Sequence, residues 1–242
     1  MTTAHHLVYG MNSYFDSNPF SILVKTDNDG TSASNQFTLP LPVLTGLTYD
    51  YFVDWGDGEF TSHNTNANVT HTYAIAGTFT IRIYGKFEAI FFNNSGDKLK
   101  LLEVLQWGDY FGKYGNCVGA FYGCTNLNKI ADDVEVLNTH LTNGLSMFQG
   151  NKLTSLPSGM ALSSLTISQS MFLDNKLTSL PSGMALSSLT NGYAMFLGNN
   201  LTSLPSGMAL SSLTNGQFMF QGNKLTSLPS GMALSSLTNG LS

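Results

Sequence analysis

The sequence predicts a mainly β protein in two parts, an N-terminal antiparallel β-sandwich followed by a solenoid of 24-residue coils. Three observations predict it. Residues 20 to 92 hold short runs of β-branched and aromatic residues separated by Asp, Asn and Gly turn chemistry. From Asn151 onward the chain repeats Asn-x-Leu-Thr-Ser-Leu-Pro-Ser-Gly-Met-Ala-Leu-Ser-Ser-Leu-Thr, with Asn151, Asn175, Asn199 and Asn223 opening units 24 residues apart. A fixed period in this range marks units that stack on one another instead of mixing in one globular core. Only 10% of the residues are charged, against about 25% in ordinary soluble domains. The repeat surface is therefore one of Ser, Thr, Asn and Gly.

In chain order, Ser21-Ile22-Leu23-Val24, Tyr49-Asp50-Tyr51-Phe52-Val53-Asp54-Trp55 and Thr78-Phe79-Thr80-Ile81-Arg82-Ile83-Tyr84 read as strands. The last alternates outward polar with inward apolar residues. Between them Asp27-Asn28-Asp29-Gly30, Gly56-Asp57-Gly58 and Ala76-Gly77 read as turns in which Gly supplies positive φ and Asp or Asn caps its own backbone. That spacing suits a small sandwich.

Two ordered motifs in this region resemble a known family. Val53-Asp54-Trp55-Gly56-Asp57-Gly58, followed by His71-Thr72-Tyr73-Ala74 and Ala76-Gly77-Thr78-Phe79-Thr80-Ile81, is similar to the PKD-type immunoglobulin-like domain over roughly residues 15–92. The resemblance implies a small extracellular spacer or adhesion sandwich without catalytic residues. Further on, Leu102-Glu103-Val104-Leu105-Gln106-Trp107-Gly108 and then Ala120-Phe121-Tyr122-Gly123-Cys124-Thr125-Asn126-Leu127 resemble the entry into the BspA-like leucine-rich repeat family. The later Met-Phe-bearing units look like simplified copies of that second segment. Phe121 and Phe148 are 27 residues apart instead of 24, the irregularity expected of a capping repeat. The expected organisation is 1–92 as a PKD-like sandwich with an N-terminal arm, 93–123 as junction and cap, and 124–242 as leucine-rich repeats.

Each unit carries apolar residues at the same places, for example Leu153, Leu156, Met160, Leu162, Leu165, Met171 and Phe172. Their burial falls short of the entropy lost in ordering 24 residues, so one unit cannot fold alone. Stacking makes up the difference, through Leu columns and short parallel strands expected at Leu-Thr-Ser-Leu. Pro157-Ser158-Gly159 and its copies turn the chain out of that strand, Gly accepting the strained dihedrals. The in-register Asn151, Asn175, Asn199 and Asn223 are expected to form an internal amide ladder that satisfies backbone groups at the bend.

Fifteen of the 24 positions are identical in all four units, so the positions that differ carry the information. Differences gather at Gln169-Ser170, Tyr193-Ala194, Gln217-Phe218 and Leu241-Ser242, and at Leu173-Asp174, Leu197-Gly198 and Gln221-Gly222, on both sides of Met-Phe. Stacked, these become two adjacent stripes. Gln169, Tyr193, Gln217, Phe218, Leu173, Leu197 and Gln221 are the candidate binding residues, a composition suited to a partner. The other reading is solvent-facing loops left free to drift after recent duplication.

Catalysis finds no support. His5, His6, His63, His71 and His140 are scattered, no nucleophile, zinc or phosphate motif occurs, and no paired carboxylates stand out, so neither an enzyme, a cofactor nor a metal is expected. Asp27-Asn28-Asp29-Gly30 is similar to part of a calcium loop but lacks the later bidentate Glu, and a plain turn accounts for it. Asp54 and Asp57 could touch a cation at an exposed rim, though turn capping suffices. His71 and Tyr73 are expected to pack within the sandwich. Cys117 and Cys124 lack metal or redox spacing and fit buried thiols, a disulfide being the alternative. A net charge of −5 without a Lys/Arg cluster argues against nucleic acid. Met1 to His6 lack the features of a secretory signal, and no apolar run is long enough to span a membrane.

The function expected is adhesion or recognition at a cell surface or on a virus particle, as a fibre or decoration protein, with a cell-surface protein, a glycan or other surface subunits as partner. A structural alternative is a homo-oligomer formed by pairing at the open last coil. An accessory carbohydrate-binding segment of an exoenzyme is the third reading.

Overall fold

The computed structural model describes residues 17–43, 46–110 and 115–240. It is mainly β, with antiparallel sheets and little helix. The N-terminal region forms strands β1 (Phe20–Lys25), β2 (Gln36–Leu39), β3 (Asp50–Asp54), β4 (Phe60–His63), β5 (Val69–Thr72) and β6 (Thr78–Lys86). A 3₁₀ turn at Lys98–Lys100 then leads into β7 (Leu101–Gln106). Five strands make one antiparallel sheet in the order β4-β3-β6-β1-β7, and β2 pairs with β5 in a second sheet. The apolar runs behave as strand chemistry requires: Ile22, Val24, Tyr51, Val53, Ile81 and Ile83 point into a core that Phe37, Leu39, Trp55 and Tyr73 share. Alternation in β6 holds, with Ile81 and Ile83 buried between less buried neighbours.

The turns depart in part from expectation. Gly56 (φ 83°) and Gly58 (φ 94°) are left-handed as the β3–β4 turn requires, but Gly30 and Gly77 are not. Gly30 is needed for close approach instead: a Cβ there would meet the Asp97 carboxylate and the Lys100 side chain. Asp97 Oδ1 accepts the Thr31 and Ser32 amides at 2.9 and 3.0 Å, and Asp97 Oδ2 accepts the Thr38 amide at 2.7 Å. Lys100 Nζ, fully buried, donates to the carbonyls of Ser32, Ala33 and Gln36 at 3.1, 2.8 and 2.9 Å. One carboxylate and one ammonium thus tie the 27–36 loop to the segment before β7, each with its polar demand met by backbone. Asp27 of this loop pairs with Lys25 at 2.5 Å.

β7 belongs to both halves of the molecule. It pairs antiparallel with β1, and on its other side Glu103 bridges Lys129 in parallel while the Val104 amide donates to the Lys129 carbonyl at 3.1 Å. The amides of Phe92, Asn93 and Asn94 likewise donate to the carbonyls of Ala120, Gly119 and Tyr122. The 93–123 segment is therefore built into the sheet and is also the base on which the first repeat sits.

The 24-residue units stack in register. Parallel bridges run Asn116–Asn143–Ile167–Asn191–Asn215–Asn239, one per unit. These bridges are not at Leu-Thr-Ser-Leu, where the structure corrects the expectation. That segment contributes little, as at the Lys176 amide to the Leu153 carbonyl, 2.9 Å, and the Thr178 amide to the Thr154 carbonyl, 3.2 Å. The ladder lies instead around Met-Phe, where Ser168, Ser170, Phe172 and Asp174 each donate to the next unit (Asn191, Tyr193, Met195, Leu197) at 2.9 Å. Pro157-Ser158-Gly159 does turn the chain, closed by the Met160 amide on the Pro157 carbonyl at 3.0 Å. Gly159, Gly183 and Gly207 are nonetheless outside the left-handed region, which only Gly231 of the four enters. The single α-helix among the described residues, α1 (Glu135–His140), lies in the first irregular unit. No described helix is long and apolar enough to cross a membrane.

Candidate functional site

The candidate face is set by what the Met-Phe pair does. Met171, Phe172, Met195 and Phe196 are fully buried. Phe121, Phe148, Phe172, Phe196 and Phe220 stack ring on ring, with centroids 5.4, 5.5, 5.5 and 5.8 Å apart and planes within 6° of parallel. Such offset columns add to the area term of burial. The Asn column supports this stack from inside, and its bonds go to backbone, not from one amide to the next. Asn175 Nδ2 donates to the carbonyls of Phe148 (2.8 Å) and Phe172 (3.2 Å), and its Oδ1 accepts the Leu153 amide at 3.1 Å. Asn199 repeats the pattern one unit on.

Met-Phe forms the two central residues of a β-turn that joins its flanking pairs across it. The Leu173 amide donates to the Ser170 carbonyl (3.2 Å), Leu197 to Ala194 (3.3 Å) and Gln221 to Phe218 (3.2 Å). The two variable stripes are therefore brought together. A preceding turn, closed by Met171 on Ser168, Met195 on Gly192 and Met219 on Gly216, places Ser170 (φ 56°), Ala194 (φ 53°) and Phe218 (φ 60°) at its third position in left-handed conformation. Type II turns require positive φ there and ordinarily use Gly.

Exposure sorts the candidates. Gln217 and Gln221 are exposed, and Gln169, Tyr193, Phe218, Leu173 and Leu197 are half-buried. Ala194 is buried and drops out of the accessible stripe. Leu241 and Ser242 lie outside the described residues. Tyr193 and Phe218 of successive units meet edge to face, ring centroids 5.6 Å apart at 78°. Asp174, also exposed, lies over Gly198, where a Cβ would run into its Oδ1.

Sequence reasoning missed the Asn residues that open this face. Asn191 Oδ1 accepts the Tyr193 amide at 3.1 Å and Asn215 Oδ1 the Gln217 amide at 3.2 Å, small Asx turns beside the aromatic pair. Their signal was present as Asn before Gly in three of the four units, with Ile167 the exception.

The other candidate groups are engaged by neighbours within the chain. Asp54 Oδ1 and Asp57 Oδ1 accept the amides of Gly56 and Glu59 at 2.9 and 3.0 Å, the capping expected of them. His71 Nε2 lies 2.8 Å from Asp57 Oδ2, and its ring stacks on Trp55 (4.7 Å, 7°) and meets Tyr73 edge-on at 4.5 Å. Partial burial works to raise the Asp57 pKa, but the His71 and Glu59 hydrogen bonds outweigh it and hold the carboxyl below its ordinary value. Burial lowers the pKa of His63, which contacts Thr61 Oγ1 at 2.7 Å. His140 is exposed beside Thr139, and His5 and His6 lie outside the described residues. Among the described residues no three His, Cys, Asp or Glu side chains gather as metal ligands. Cys117 and Cys124 are buried and unpaired, and burial pushes both thiols well up, which leaves little thiolate for chemistry.

No protein family, characterised protein or solved structure matches this chain. The stacked units and their outward-facing differences therefore carry the functional reading by themselves.

Proposed function

We propose that this chain is a non-enzymatic adhesion or recognition protein of a cell surface or virus particle. In this reading residues 17–92 are a PKD-like, immunoglobulin-like sandwich that docks or spaces, and the stacked units are a BspA-like leucine-rich repeat solenoid that presents a contact face. The observation that carries it is the gathering of difference: most of the positions that vary between otherwise matching units lie in the two pairs flanking the buried Met-Phe, and one β-turn per unit joins those pairs across it. The internal columns are accounted for by stacking, whereas Tyr193, Gln217 and Phe218 present aromatic and amide chemistry that stacking does not need.

The test is a triple substitution of Tyr193, Gln217 and Phe218 by Ser, with attachment to a panel of bacterial and animal cell surfaces as the readout. Loss of attachment with an unchanged unfolding midpoint supports the reading. Unchanged attachment discards the variable face as the contact surface.

A second reading, self-assembly through the last coil, is favoured by one observation. Leu228 is 49% exposed, while its counterparts Leu156, Leu180 and Leu204 are 8 to 9% exposed. A second copy of the chain, or a following unit, would cover it. Light scattering on the 242-residue chain decides: a monomer across the micromolar range removes this reading.

A further inference from the structure

We infer that the corner between Tyr193 and Phe218 binds the ring of a neutral sugar, as part of a glycan. This rests on the proposal that the variable face is the contact surface, and it names the ligand class that face takes.

The argument starts from the rings. Their planes stand 78° apart with centroids at 5.6 Å, and both side chains are half-exposed. Two aromatic surfaces at nearly a right angle offer a saturated ring one face to stack its C–H groups on and one flank to lean against. A planar ligand would use only one of them. Phe218 is also costly where it stands. It occupies the left-handed turn position (φ 60°), a conformation in which a bulky residue is an outlier. The matching positions hold Ser146, Ser170 and Ala194, all with similar φ, so the turn does not call for an aromatic ring. What the ring adds is surface.

The polar groups around the corner are those that read hydroxyls. Asn191 and Asn215 are oriented by accepting the Tyr193 and Gln217 amides through Oδ1, and neither Nδ2 is engaged among the described residues. Gln217 adds an exposed amide that can both donate to and accept from a hydroxyl. Charge selects within the sugars. From residue 150 on, the charged residues are Lys152, Asp174, Lys176 and Lys224, and of these only the anionic Asp174 is a member of the variable pairs. A sialylated or sulfated glycan finds no Lys or Arg among the variable residues to pair with.

The probe is a printed panel of neutral oligosaccharides together with sialylated and sulfated ones, read with the 242-residue chain and with Tyr193→Ser and Phe218→Asn. Asn tolerates the left-handed conformation, so an unchanged thermal midpoint in that variant separates lost contact from lost fold. The expected result is binding to neutral members, with affinity falling at least about tenfold in each variant and no preference for acidic members. Neutral binding that survives both substitutions overturns the corner as the site. If no neutral saccharide binds, yet both variants lose attachment to glycosidase-stripped cells, the ligand is a protein: the sugar inference fails and the broader contact face stands. If attachment is unchanged as well, both fail.

Discussion

Asn175 reaches back one unit to place its Nδ2 2.8 Å from the carbonyl of Phe148, at the point where Phe148 and Phe172 stack. With Phe172 and Leu153 it answers three buried backbone groups from two units. Asn151 occupies the same place but leaves its Oδ1 without a partner. The amide that would supply it, on Leu127, is turned instead into the Cys124 carbonyl at 2.8 Å, within the irregular first unit. Asn175→Ala should therefore destabilise the chain by about 3–5 kcal/mol, and Asn151→Ala by about 1–2 kcal/mol less, since fewer buried groups lose partners. Urea midpoints of the two variants check the order, and equal losses would show that the Oδ1 bond contributes nothing.

The repeat contains glycines of two kinds. Gly198 is left-handed (φ 72°), and a Cβ on it would strike the Asp174 carboxylate. Gly183 is not left-handed, and a Cβ added to it would have nothing within 4 Å. Gly198→Ala is expected to lower stability by about 1–2 kcal/mol or more. Gly183→Ala should raise it by about 0.4–1 kcal/mol through the entropy of the unfolded chain. Thermal midpoints moving in opposite directions are the expected result.

How much of this was legible in the sequence depends on what each element needed. β1, β3 and β6 declare themselves because Ile22, Val24, Tyr51, Val53, Ile81 and Ile83 are buried by their own alternation. β2, β4 and β5 did not, because Thr38, Thr61, Ser62, Thr70 and Thr72 carry little hydrophobic signal and become strands through pairing with distant segments. β7 was legible as an entry into the repeat but not as the edge of the sheet, a pairing with β1 across some eighty residues of chain. At the candidate face, position was readable from the pattern of differences, while backbone shape was not. Ser170, Ala194 and Phe218 give no hint of positive φ, which is imposed by the inward turn of Met-Phe. The inter-unit ladder was misplaced to Leu-Thr-Ser-Leu for the same reason: alternation of Leu suggested a strand, but the bonds follow the turns.

Asp57 gives the sandwich a defined acid response. Burial works to raise its pKa, and the hydrogen bonds from His71 and the Glu59 amide bring it below the ordinary value of 3.8. A folded pKa below the unfolded one means that the unfolded chain takes up the proton first as pH falls. The stabilisation is complete above about pH 4–5 and is lost as pH drops through the folded value. Asp57→Asn should lower stability at neutral pH and flatten the stability curve below about pH 4. Urea denaturation of both proteins between pH 2 and pH 7 provides the comparison, and parallel curves would remove Asp57 as a source of acid sensitivity.

The fourth copy shows what stacking contributes, because its apolar columns are covered on one side only. Leu225, Met232, Leu234 and Leu237 are half-buried, whereas Leu201, Met208, Leu210 and Leu213 one unit earlier are buried to within 2%. Leu228 has gone from the 8% exposure of Leu204 to 49%. Extending the chain by Met-Phe-Gln-Gly, which fills out the fourth unit to 24 residues, and then by a fifth unit would bury these five side chains against identical partners, pair the Asn239 bridge onward, and supply an Asn whose Oδ1 meets the Leu225 amide as Asn223 meets that of Leu201 at 3.0 Å. Because stack stability is close to a sum of unit and nearest-neighbour terms, the gain should be several kcal/mol, with the increase in the urea m-value tracking the added buried surface. Replacing Leu225, Leu234 and Leu237 by Ser should cost less in the 242-residue chain than the same three changes at Leu201, Leu210 and Leu213. If the extended chain unfolds at the same midpoint as the original, the half-covered columns were already satisfied by contact with another copy. Light scattering on the original chain would then reveal that contact as a dimer.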